Sequence, residues 1–412
     1  MGSFFGHNYQ PPAPAPLNRR AAPPVQAPRA PTPAPAADQP AVQFIPAVAG
    51  LSAENETTLD GLLQWIVQQR ASDLHLIAGQ VAWARVQGRL IEIPGSATLS
   101  AQDLNDMLLP LLSEFQRQSF EETGDIDLAY APQGGDTRFR VNLLRSRGEI
   151  GAVMRAIPTK VPSAESLGLP QAVRGLALQK QGLVLVCGST NSGKSTTSAA
   201  IIDIANEVLA AHILTIEDPI EYVHHPKKST IRQRELHVDT VSFESALRAG
   251  LRQDPNIMFV GEIRDYQTAQ VALEAAETGH LVIATLHTNS AAQTVERYVN
   301  LFPDESRNQV QSVLGSVLQA VVVQALIPSV DGTKRHAARE ILIANWAIRS
   351  LIQQGKLNQL NSALQTGASE GMQTLNDDLA RLVREGKITF ESAAIATRDI
   401  TELETKCKGV AL

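Results

Sequence analysis

The chain has 412 residues, 36 basic against 42 acidic side chains, and two cysteines. A net charge of −6 gives no bulk attraction to nucleic acid, and no basic stripe interleaved with aromatics supplies one locally. Cys187 and Cys407 are too few for a disulfide framework or a four-cysteine zinc site, and no run reaches the ~18 apolar residues of a membrane-spanning helix.

Residues 11–46 are mostly Pro, Ala and Gln and hold about half of the 23 prolines. Such a segment buries too little surface to offset its ordering entropy, so residues 1–50 are expected to form a disordered arm, either a spacer or a partner-binding tail. The arm lacks the apolar run of a signal peptide. Beyond it, Leu62, Leu63, Ile66 and Val67 share one face of a helix expected over 59–69. Strand-like runs follow at 73–77, 81–86 and 89–93, then a helix from its cap Ser100 through 112. Further strands are expected at 126–131, 137–144 and 150–157, and in 138–143 arginines alternate with apolar residues. Residues 51–160 thus read as a small α+β domain.

After a connector at 160–178 the pattern changes. Strands are expected at 183–187, 213–217, 257–261, 281–285 and 340–344, and helices at 194–209, 243–253, 266–278 and 304–325. This alternation predicts an α/β domain over 161–345 with a doubly wound parallel sheet. The rest, 346–412, reads as helical, with segments from 347 and at 357–364, 375–384 and 390–396.

The chemistry concentrates at strand ends. Residues 182–197, GLVLVCGSTNSGKSTT, run from an apolar strand through G-x-x-x-x-G-K-S into a helix. That order of strand, glycine loop and helix makes a phosphate site: loop N–H groups and the helix N-terminus face the anion. Gly188, Ser189, Thr190, Asn191, Ser192, Gly193, Lys194, Ser195 and Thr196 form the expected nucleotide-binding set. Lys194 would reach the β- and γ-phosphates, and the Ser195 hydroxyl would ligate Mg²⁺. A second apolar strand ends at Glu262, where a carboxylate can hold Mg²⁺ or orient the attacking water. A third ends in Glu217, Asp218 and Glu221, which either hold a cation or polar ligand among them or are exposed loop acids. A fourth is bracketed by His280 and His287, each either a structural group or a phosphate contact. Sites of this kind often borrow an arginine from elsewhere; Arg138, Arg140, Arg145, Arg147 and Arg155 in the first domain are candidates, as are Arg248, Arg252 and Arg264.

Taken together, ASDLHL (71–76), RFRVN (138–142), GSTNSGKSTT (188–197), ILTIEDPIEY (213–222), QRELHVDT (233–240), ALRAGLRQDPNIMFVGEIRD (246–265), AAETGHLVIATLHTNSA (275–291), AIRSLI (347–352) and GMQTLNDDL (371–379) resemble the secretion ATPases of type II secretion systems and type IV pili, in particular the pilus-retraction branch. The resemblance spans residues 57–398. It implies a RecA-like P-loop ATPase domain joined to a PAS-like N-terminal domain, with ATP between them and Mg²⁺ as cofactor. It makes Glu262, Glu221, Lys194, His287, His280, Arg140 and Arg155 the catalytic candidates, and Ser195, Glu217, Asp218 and Glu262 the metal candidates. It also implies a ring-shaped homohexamer at the cytoplasmic face of the inner membrane, associated with it through partners such as the pilus platform protein and not with nucleic acid. The implied activity is ATP hydrolysis that powers pilus retraction and twitching. The remaining readings are an accessory retraction, assembly or secretion ATPase, or a non-hydrolysing nucleotide-gated scaffold at the pilus base. Assembly and secretion relatives generally carry a four-cysteine zinc module, which two cysteines cannot build. Two positions depart from the usual pattern: Asn191 stands where relatives have Gly, and Ser350 replaces Asn in AIRNLI.

Overall fold

In a computed structural model, described for residues 50–51, 57–86, 88–132, 137–157 and 160–408, the alternating and the continuous apolar runs separate into two sheets. The arm expected over 1–50 lies outside the described residues except for residue 50.

The alternating runs build the first sheet. Its strands are β1 (Asp73–Leu76), β2 (Trp83–Val86), β3 (Arg89–Glu92), β4 (Asp125–Tyr130), β5 (Arg138–Ser146) and β6 (Glu149–Ile157), in the order β3-β2-β1-β6-β5-β4. All its pairings are antiparallel, which lets one face pack and the other stay polar. Phe139, Val141 and Leu143 of β5 are buried, as are Leu62, Leu63, Trp65 and Ile66 of the helix Leu59–Gln68. The other face carries a charged row: Arg85 pairs with Asp73, Asp73 with Arg155, and Arg155 with Arg140 in register. Ser100 and Asp103 form the capping box of the helix Ala101–Leu108, and a 3-10 turn with Pro110 at its start-side position ends it short of residue 112. The helix Glu114–Thr123 was not expected. It buries only Phe120, so it carries no apolar stripe to read, yet Ser113 and Gln116 cap it and Gly124 closes it at φ +79°.

The continuous runs build the second sheet: β7 (Gly182–Cys187), β8 (His212–Glu217), β9 (Thr230–Glu235), β10 (Ile257–Val260), β11 (Leu281–Leu286), β12 (Leu318–Pro328) and β13 (Arg335–Ile343). Their order is β13-β12-β7-β11-β10-β8-β9, parallel throughout except for antiparallel β13 at one edge. Every residue of β7, β10 and β11 is buried because helices cover both faces. Leu183, Leu185 and Cys187 point into one apolar layer; Val184 and Val186 point into the other, with Ala200, Ile201 and Ala205 of the helix Lys194–Val208.

One predicted element is overturned. The single helix expected over 304–325 is a 3-10 turn, the helix Arg307–Val317 and then β12. Val321, Val322 and Val323 are β-branched and fit beside β7, where pairing overrides the local helical pattern. The strand expected at 340–344 is the end of the longer β13. β9 (TIRQRE) and the helix Ala291–Asn300 were not expected; the first is a mostly polar edge strand.

The C-terminal helices include Leu375–Arg384 and Ile400–Cys407, and they pack on β12 and β13 around Ile327, Ala338, Leu379, Leu382 and Leu403. The outer edge of β13 is occupied: Ile341 exchanges backbone hydrogen bonds with Gln373, and Arg339 N–H donates to Asp378 Oδ2.

Leu185 has no exposure in the fully buried strand β7. Leu185→Ala should lower unfolding stability by about 3 kcal/mol through lost burial and the cavity left behind, read from urea unfolding.

Candidate active site

In a parallel sheet the carboxyl ends of the strands share one side, and ligands bind there. Here β7 runs into Gly188, β8 ends at Glu217 before Asp218, β10 leads through Gly261 to Glu262, and β11 leads to His287. These ends enclose a cavity of about 360 Å³ lined by residues 190–196, Glu217, Asp218, Glu221, Glu262, Arg264 and His287, with Arg140 reaching in from β5.

The loop's shape follows from its glycines. Gly188 has φ +145° and Gly193 has φ +86°, conformations that carry a steric penalty for residues with a Cβ. Asn191 adopts φ +62°, the left-handed region that asparagine tolerates, so the departure from Gly leaves the loop intact. Gly193 then starts the helix Lys194–Val208, whose N-terminus opens onto the cavity. Lys194 Nζ donates to Gly188 O at 3.0 Å and Ser189 O at 2.9 Å and lies 3.4 Å from His287 Nδ1. Burial lowers its pKa. Thr196 Oγ1 lies 2.9 Å from Tyr222 Oη, which ties the loop to the acidic segment after β8.

Opposite the loop, Glu262 is held on two sides. Its Oε2 lies 2.8 Å from Arg264, and its Oε1 lies 3.2 Å from His287 Nε2. Burial pushes this carboxyl up, but the Arg264 guanidinium and the His287 ring outweigh it and hold it below its ordinary range. Arg264 also lies 3.6 Å from Asp218. His287 therefore spans loop and strand end. With Nδ1 toward an ammonium and Nε2 toward a carboxylate, the neutral ring bearing its proton on Nε2 satisfies both.

Glu217 is different. It is buried, and its Oε1 accepts from Thr215 Oγ1 at 2.7 Å and Gln233 Nε2 at 3.0 Å. Burial pushes its pKa up to about 7 despite these hydrogen bonds.

Ser195, Asp218 and Glu262 offer hard oxygen donors on the cavity wall, the donor class that suits Mg²⁺. Among the described residues no group of three or more His, Cys, Asp or Glu could hold a metal alone. A Mg²⁺ bound by one or two protein oxygens, phosphate oxygens and water needs no such cage. Glu217, already committed to Thr215 and Gln233, fits that role less well than the other three.

Most of the expected site residues meet here; four do not line the cavity. Gly188 and Ser189 lie behind the lining and accept from Lys194. Arg155 is turned to Asp73, with Nε 2.7 Å from Oδ1, although it faces Arg140 in register. His280 precedes β11 whereas His287 follows it, so the six-residue strand keeps the two about 20 Å apart. His280 instead places Nδ1 3.0 Å from Ala275 O. Phe243, Phe259, Leu326 and Arg335 also line the cavity. The first three carry only ordinary apolar signals in sequence, and Arg335 sits on a strand whose start was not foreseen.

The family described as type II/IV secretion system protein matches residues 52–403. The chain is 47% identical over 334 residues to the type IV pilus retractation ATPase PilT of Pseudomonas aeruginosa, covering 81% of this chain and 96% of that protein. It is 47% identical over 311 residues to a twitching motility protein of Neisseria gonorrhoeae, covering 75% and 82%. The crystal structure of the pilus retraction motor PilT with bound ADP superposes with a TM-score of 0.79 at 43% identity, covering 84% of this chain and 99% of that one.

Glu217 yields a pH prediction. A glutamate with the ordinary value of 4.5 has lost its proton well before Glu217, at about 7, gives its up. Between those values the folded chain binds more protons than the unfolded one, so this group's contribution falls as pH rises, by about 3 kcal/mol across the window. Urea unfolding near pH 5 and near pH 8 should show Glu217→Gln losing less stability over that interval than the unaltered chain.

Proposed function

The chain belongs to the type II/IV secretion system protein family, and from that premise we propose that it is an ATP-hydrolysing motor that powers type IV pilus retraction and twitching motility. The observation that carries this reading is the contact of three elements in one cavity: Lys194 of the phosphate loop, His287 after β11 and Glu262 after β10.

The loop N–H groups, the helix N-terminus and Lys194 bind and orient the phosphates of ATP. Ser195, Asp218 and Glu262 are the residues that would hold Mg²⁺, which when bound neutralises charge developing on the phosphates. Glu262 is kept ionised and can take a hydrogen bond from the attacking water; Glu221 shares that wall of the cavity. His287 links the lysine to the glutamate, so a change at the terminal phosphate reaches the strand end through one ring.

Coupling to motion is assigned to the boundary between the two sheets. Arg138 Nη2 lies 2.8 Å from Glu235 Oε2, and Arg140, two residues on, lines the cavity. Glu235 is buried; burial raises its pKa and Arg138 works against that rise. Closure of residues 51–160 on 161–345 around ATP is the proposed mechanical step, with 346–412 as a third unit. A homohexameric ring, an inner-membrane platform partner and a place at the cytoplasmic face of that membrane complete the proposal. No helix among the described residues is long and apolar enough to cross a membrane, so attachment would run through partners.

Lys194→Ala and Glu262→Gln should each lower phosphate release by at least about a hundredfold and abolish twitching. A strain lacking the gene should display more surface pili and no twitching. Loss of pili altogether would mean an assembly motor, and intact turnover in both variants would overturn the reading.

A further inference from the structure

β12 and β13 carry a polar pair inside an apolar layer. Gln324 and Arg339 face each other in register and are 4% and 2% exposed. Their neighbours on the same face, Ala320, Val322 and Ile341, pack with residues of the helix Lys194–Val208. An amide and a guanidinium in such a layer are costly unless their polar atoms are bonded.

Gln324 meets that requirement by bonding to the phosphate loop and its helix. Its Nε2 donates to Ser192 O at 2.7 Å, while its Oε1 accepts from Thr197 Oγ1 at 2.8 Å and from Arg339 Nε at 3.0 Å. Chemistry dictates the orientation, since Ser192 O can only accept and Arg339 Nε can only donate. Steric contacts add to this. A Cβ on Gly188 would overlap the backbone oxygen of Gln324, and one on Gly193 would lie 2.7 Å from Gln324 Nε2. β12 thus passes close to both glycines that bound the loop, with its backbone at Gly188 and with the Gln324 amide at Gly193.

Arg339 continues the chain. Its guanidinium donates to Leu167 O and Gly168 O, and its backbone N–H donates to Asp378 Oδ2 at 2.8 Å. Asp378 is 3% exposed, lies on the helix Leu375–Arg384 and accepts from Arg381 through Oδ1. Burial lowers the Arg339 pKa to about 10, which leaves it charged at neutral pH.

We propose that Gln324 is the positioning residue of the phosphate loop, and that the Gln324–Arg339–Asp378 chain couples nucleotide affinity to the seating of the C-terminal helices. This rests on the reading of the loop as a nucleotide site. The loop cannot move at Ser192 without breaking the hydrogen bond from the Gln324 amide or dragging that amide along. That amide cannot move without unpairing Arg339, which the backbone ties to Asp378. The coupling is reciprocal: whatever reseats the C-terminal helices alters nucleotide affinity, and nucleotide alters the seating of those helices.

The test titrates the full chain with a fluorescent methylanthraniloyl-ADP and records thermal melting alongside. Gln324→Glu keeps an acceptor for Thr197 and Arg339 but cannot donate to Ser192 O. Asp378→Asn keeps the side-chain shape and lies outside the cavity. Gln324→Glu should raise the dissociation constant about tenfold and Asp378→Asn about threefold, and the double variant should show less than the product of the two. Folded variants that bind like the unaltered chain overturn the coupling, even if their melting temperatures fall. Failure of the unaltered chain to bind overturns the nucleotide reading and this proposal with it.

Discussion

The structure depends on β7 being enclosed. Its six residues are buried, with β11 on one side, β12 on the other and helices over both faces. A strand fixed on all four sides cannot slip in register without moving apolar side chains into the wrong layer. Where it ends is therefore settled to within a residue, and it ends at Gly188. The same parallel register carries β11 to His287 and β10 toward Glu262, so groups far apart in sequence arrive at one mouth without any loop having to find them.

The first sheet is built on the opposite logic. It has one packed face and one charged face, and the charged face bears its arginines in a row. Asp73 is buried between Arg85 and Arg155 and holds part of that row in place. Arg138 and Arg140 lean toward the second sheet: one is fixed by a buried carboxylate, and the other is half-exposed at the cavity with a long 3.8 Å contact to Asp127. One arginine anchors while its neighbour remains available to an anion.

What could be read in the sequence follows from where the signals are local. The phosphate loop announces itself because strand, glycines, lysine and helix are contiguous, and the strand-end acids stand out because apolar runs lead into them. The α/β class was equally visible in the spacing of those runs. β12 was hidden because Val, Leu and Ala runs fit helix and strand alike, and only its place beside β7 decides between them. Gln319 and Gln324 interrupt that run. Gln319 in fact donates to Gln181 O and accepts from Arg349, and Gln324 serves the loop. A lone amide in an apolar stretch was the available clue, though only tertiary structure reveals its partner. Of the two histidines that bracket β11, only His287 follows the strand, which already marks it as the phosphate contact; the family resemblance kept His280 beside it, and the strand sends the two to opposite sides of the sheet.

The margin of the second sheet has a further consequence. β13 has outer backbone groups engaged by Gln373 and Asp378, while β9 at the far margin is rich in arginine and other polar residues. Neither offers a smooth ladder on which another copy could add a strand. In the ring proposed above, contacts between copies at this sheet would then run through side chains and loops, which can slide and re-form one at a time. A machine whose subunits are joined that way can change shape repeatedly without tearing main-chain hydrogen bonds, the kind of joint that repetitive mechanical work requires.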